Sequence, residues 1–243
     1  MWPENVIEET EPTPEIREDD PAREDDHYVH WLRELREHLP FSILAVLLAL
    51  SLFGIVHSIQ TLDAHKSSRI FHVFHPIHLL LSAAATTSVF WTYEKKVIKS
   101  VLVGFFGSTI ICSISDILLP MLGAHIFLQD MHLHICLLEE PELVLPFLVL
   151  GIFVGIFSSH LLDRASFFSH SGHVLVSAVS SLLYLTSYGV GNLLDSLGWI
   201  LVLLVFAVLI PCCLSDLVLP VLFARTDKGR QKLLRHHLHS HHH

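Results

Sequence analysis

Charge is sparse in this 243-residue chain, at 16% of positions, and most of the imbalance is confined to one end. Residues 1–38 carry 13 acidic and 4 basic side chains, whereas the other 205 residues carry 11 of each. The net charge of −9 is therefore a property of the N-terminal tail and says nothing about what the rest of the chain binds. No basic stripe is present, so no nucleic-acid partner is expected. Cysteine is scarce as well. Three of the four, Cys112, Cys212 and Cys213 but not Cys136, fall in apolar runs, which argues against a disulfide framework. No HExxH or other strong hydrolase signature occurs, so no catalytic residue is assigned. The first 39 residues lack a short apolar core beside a cleavage site, and no cleavable signal peptide is expected.

Apolar length is abundant instead. Hydrophobic residues make up 51% of the chain and the mean hydropathy is +0.54. Six runs reach bilayer-spanning length: Pro40–Gln60, His72–Trp91, Val97–Leu122, Leu143–Leu162, Ser166–Tyr188 and Leu197–Phe223. A soluble α/β protein would need shorter runs broken by turns. The predicted class is an all-α integral membrane protein with six transmembrane helices.

The tail and loops divide the remaining chain. Residues 1–26 read as a disordered acidic tail. Within 27–39, Tyr28, Trp31, Leu32, Leu35 and Leu39 recur at helical spacing opposite Arg33, Glu34, Arg36 and Glu37. They form either an interfacial amphipathic helix or an extension of the first span into solvent. Residues 40–122 form one membrane unit, 123–142 a loop, 143–223 a second unit and 224–243 a basic, His-rich tail. With both termini cytoplasmic, 13 Lys and Arg fall inside and only Lys66 and Arg69 outside. The positive-inside rule therefore predicts a cytoplasmic-membrane protein with both ends inside and loop 123–142 outside.

The two membrane units repeat their least membrane-like residues. His75-Pro76-Ile77-His78 and Ser82 return 95 positions later as His170-Ser171-Gly172-His173 and Ser177, and His65 and Arg69 return as His160 and Arg164. Cys112, Ser115, Asp116 and Pro120 return 100 positions later as Cys212, Ser215, Asp216 and Pro220. Three spans per unit make the repeats inverted. Ionisable groups in hydrocarbon are costly, so their duplication marks candidate sites.

Those residues suit a metal. His75 and His78 share a helix face, with Pro76 expected in the first helical turn. His65 is expected to fold back toward them, and Asp116 to meet them near the outer face. His160, His170, His173 and Asp216 form the mirrored set near the inner face. Imidazole with carboxylate fits Zn²⁺, Fe²⁺ or Mn²⁺. Pro120 and Pro220 would each free the carbonyl four residues earlier, that of Asp116 or Asp216. Taken singly, these groups also serve as ordinary interhelical hydrogen bonders, and the prolines as kinks. Gly151 and Gly155 form a GxxxG pattern suited to close helix contact.

The loop 123–142 adds His125, Asp130, His132, His134, Cys136, Glu139, Glu140 and Glu142 without one Lys or Arg, and His132-x-His134 could gather cations there. The terminal run His236, His237, His239, His241, His242 and His243 would also chelate metal. The leading expectation is a small transporter of a divalent transition-metal ion, the metal being its substrate. A membrane metalloenzyme or a haem protein, pairing His75 or His78 with His57 or His65, is the alternative. A scaffold whose acidic tail binds basic partners is a third. Six spans make a thin bundle, which leaves room for a homodimer.

Overall fold

The computed structural model describes residues 21–59, 61–126, 131–158, 166–189 and 197–213, and among them every regular element is helical. The elements are α1 (Pro21–Ile59), α2 (Ala64–Tyr93), α3 (Val97–Ser113), a π turn (Ile114–Leu118), α4 (Leu119–Ile126), α5 (Cys136–Glu139), α6 (Pro141–Phe157), α7 (Ser166–Tyr188) and α8 (Leu197–Cys213). Three stretches are long and apolar enough to cross a bilayer: His38–Ile59, Ala64–Thr92 and Val97–Ile126, the last running through the π turn. Pro141–Phe157 and Leu197–Pro211 are apolar but shorter. Seventeen helical residues rise about 25 Å, short of a hydrocarbon core of about 30 Å.

The bundle is apolar outside and polar within. Leu44, Leu48, Leu52, Ile55, Phe106, Ile110, Phe153 and Phe157 are exposed, while Ser82, Thr87, Ser115, Ser177 and Ser181 are buried. An exposed apolar surface of this extent suits lipid rather than water.

Local chemistry sets the helix limits. Asp63 caps α2, its carboxylate accepting the Lys66 N–H at 2.8 Å. The helix therefore starts before the apolar run does, and Pro76 lies mid-helix instead of in the first turn, where it was expected. α1 runs through Pro40 as one helix from Pro21 to Ile59. It includes residues 21–26, which the composition had assigned to the disordered tail.

α2 is the central helix and packs against α3, α6 and α7. Its contact with α6 depends on small residues. A Cβ added to Gly155 would come within 2.6 Å of the Ala84 carbonyl and 2.7 Å of Thr87 Cβ, and one at Gly151 would strike the Leu80 carbonyl. The GxxxG pattern is thus where the α2 and α6 backbones meet. Gly104 of α3 makes a similar approach to Thr87.

Candidate functional site

Three consecutive turns of α2 carry His72, His75 and His78, which the i, i+3 spacing stacks on one face. The π turn brings Asp116 to them. In that turn the Leu119 N–H reaches back to the carbonyl of Ile114, five residues earlier. Such turns insert one extra residue into a helix and are common at functional sites. Here Ser115 and Asp116 are both fully buried.

Asp116 is saturated with donors. Its Oδ2 accepts from His75 Nδ1 at 2.9 Å and from His78 Nδ1 at 2.7 Å. Its Oδ1 accepts from the Ser115 hydroxyl at 2.9 Å and the Ser177 hydroxyl of α7 at 3.0 Å. A buried carboxylate is tolerable only when its lone pairs are satisfied, and all four directions are used. This arrangement makes Nδ1 of both imidazoles a donor to the carboxylate and turns each Nε2 to the other side of its ring. His78 Nε2 lies 3.8 Å from the Cys112 thiol. The His78 ring meets His173 of α7 edge-on, with centroids 4.6 Å apart. His75 stacks on Phe71 at 5.2 Å.

Pro120 follows this turn in α4, and the carbonyl of Ser115, inside the turn, accepts the Ser181 hydroxyl of α7 at 3.1 Å.

Of the two candidate sets, one member of each touches the other. Opposite faces were expected for them, yet His78 and His173, equivalent in the repeat, touch where α2 and α7 cross. His65 stays apart from the set. It is exposed in the first turn of α2, ten residues or about 15 Å along the axis from His75. His57, the other haem partner considered, accepts the Leu62 N–H at 3.2 Å at the end of α1. His160, Asp216, Pro220 and the terminal histidines lie outside the described residues, and of His170 only its backbone place in α7 is described.

A second group caps this end of the bundle and was only partly visible in the sequence. Among the described residues, His72, His134 and Cys136 bring their ligand atoms within 4.8 Å of one another. His72 had not been assigned a role, although its three-residue step before His75 was a signal. The loop holds His134 in place. Its backbone N–H donates to Tyr184 Oη at 3.2 Å, its ring stacks on Tyr188 at 5.0 Å, and its Nδ1 lies 2.8 Å from Glu139 Oε2. The Ile135 N–H bonds Glu139 and holds its carboxyl below the usual range, with His134 adding to the effect. Burial pushes the Cys136 thiol up to about 12, so an uncomplexed Cys136 is a thiol, not a thiolate.

Comparison with protein-family models, with curated proteins and with solved structures yields no match in any of the three, so function has to be argued from the geometry.

Proposed function

We propose that the protein is a small membrane carrier of a divalent transition-metal ion, built as six spans in two inverted three-helix repeats with both termini cytoplasmic. The observation that carries this reading is the buried set Asp116–His75–His78 meeting His173 of the other half where α2 and α7 cross. Three imidazoles and a carboxylate at the centre of an apolar bundle are costly, and such groups mark the path of a polar species. Asp116 orients the two rings, their Nε2 atoms offer themselves to a cation such as Zn²⁺, Fe²⁺ or Mn²⁺, and Cys112 supplies a softer donor beside His78. Protons displaced from these imidazoles are the natural coupling species.

The packing supports the repeat. α1 packs on α7 and α8 of the second half, and α6 packs on α2 and α3 of the first, as a two-fold exchange of the halves requires. Alternating access then amounts to one half rocking against the other about the α2–α7 crossing.

The test is uptake of Zn²⁺, Mn²⁺ or Fe²⁺ into proteoliposomes. Wild type should fill them faster than empty vesicles, and His75→Ala/His78→Ala should lose most of that rate. No excess over empty vesicles for any of the three ions overturns the reading.

The His78–His173 contact also favours a second reading, a membrane metalloenzyme with ligands from both halves at one depth. Metal that is retained without uptake and is lost in His75→Ala/His78→Ala would move the case to that reading.

A further inference from the structure

The group at the loop end is separate from the Asp116 set and has donors of its own. His72 Nε2 and His134 Nε2 lie 3.0 Å apart, with ring planes at 89°. Two imidazole nitrogens aimed at one point share a proton or surround a cation. His134 Nδ1 faces Glu139, so its N–H is on that side and its Nε2 is the lone pair. His72 Nδ1 lies 3.5 Å from the Ser68 hydroxyl, which leaves its Nε2 for the shared point. The buried Cys136 thiol completes a triad, and Glu140 Oε2, outside that mutually close group, stands 3.6 Å from His72 Nε2.

We propose that His72, His134 and Cys136, with Glu140 as fourth ligand, bind one divalent transition-metal ion of the Zn²⁺ type. Two nitrogens, one sulfur and one oxygen are the donor set of a tetrahedral borderline-soft ion. In such a site two nitrogens at about 2.0 Å from the metal stand about 3.3 Å apart, so the observed separation needs only a small opening. Glu139 plays the part that carboxylates play behind metal-bound histidines, fixing the tautomer and orientation of His134. The ion would join three parts of the chain: α2 through His72, the loop through His134 and the start of α5 through Cys136. It would thereby hold the loop over the end of the bundle, one helical turn from His75. This site does not depend on transport.

Cobalt tests it on the full chain. Tetrahedral Co²⁺ gives visible ligand-field bands, and a thiolate ligand adds a charge-transfer band in the near ultraviolet. The terminal histidines contain no sulfur and cannot produce the latter. Wild type in detergent should develop the thiolate band to saturation at one equivalent, and excess Zn²⁺ should remove it. Cys136→Ser should abolish the band. His134→Ala should weaken Co²⁺ binding by more than about tenfold. In His75→Ala/His78→Ala, which disables the central set, the band should still form and should still depend on Cys136. No thiolate band in wild type overturns the site, as does a band in His75→Ala/His78→Ala that survives Cys136→Ser, since the sulfur would then be that of another cysteine. If Cys136→Ser does not fold, His134→Ala decides, because wild-type affinity in that variant overturns the site equally. A saturable band in a protein that moves no metal would keep this site and remove the carrier reading. Uptake without the band would do the reverse.

Discussion

Asp116→Asn is the sharpest perturbation of the central set, because it changes hydrogen-bond polarity at nearly constant shape. The amide oxygen can still accept from Ser115 and Ser177. The amide NH₂ then takes the place of Oδ2, where two imidazole N–H groups point at 2.9 and 2.7 Å. Donor faces donor twice. Either both interhelical bonds are lost, or both imidazoles move their proton to Nε2 and accept from the amide. The first outcome loses two bonds to a charged acceptor, each worth about 0.6–3 kcal/mol across membrane and soluble settings, so about 1–6 kcal/mol in total. The second recovers part of that stability but places N–H groups where the metal ligands should be. Both outcomes should abolish metal uptake, and unfolding in detergent should show the stability loss. Ser177→Ala removes one further donor to the same carboxylate, and its effect should couple to that of Asp116→Asn by about 0.5–3 kcal/mol in a double-mutant cycle. Ser82→Ala is the control. Ser82 is the repeat counterpart of Ser177, but its buried hydroxyl has no hydrogen-bond partner among the described residues, so its removal should be nearly neutral. Asp116→Asn with wild-type stability and undiminished uptake would refute the reasoning, since the carboxylate would then organise nothing.

Two further perturbations probe the frame. Gly155→Val places a branched side chain against the Ala84 carbonyl and Thr87, and the overpacking should cost about 1–3 kcal/mol or more in detergent unfolding, whereas Gly54→Ala, with open space around it, should cost far less. Between α2 and α3, the side-chain amines of Lys96 and Lys99 each lie 2.7 Å from Glu94 Oε1 and hold its carboxyl below the usual range. A depressed folded value means that this contribution is complete above the ordinary Glu value of about 4.3 and fades as pH falls through the lower folded value. Melting temperature followed from about pH 6 to about pH 3 should therefore fall less steeply in Glu94→Gln, and parallel curves would remove this pair as an acid-sensitive contact.

The primary structure determined the class of the protein and half of its centre. Long apolar runs with almost no charge dictate helices with a lipid-facing exterior, because backbone polar groups in hydrocarbon must be satisfied within their own segment. A three-residue step put His75 and His78 on one face, and the repeated pattern singled out Asp116 as their companion. Periodicity, however, describes one helix at a time. It cannot say that Asp63 caps α2 early enough to leave Pro76 in mid-helix, or that residues 114–118 adopt a π register. Nor can it bring His72 to His134, 62 residues later, or set His173 against His78. Those meetings were decided by tertiary structure: by how closely glycines let α3 and α6 approach α2, and by a buried carboxylate that draws in donors from α2, the π turn and α7.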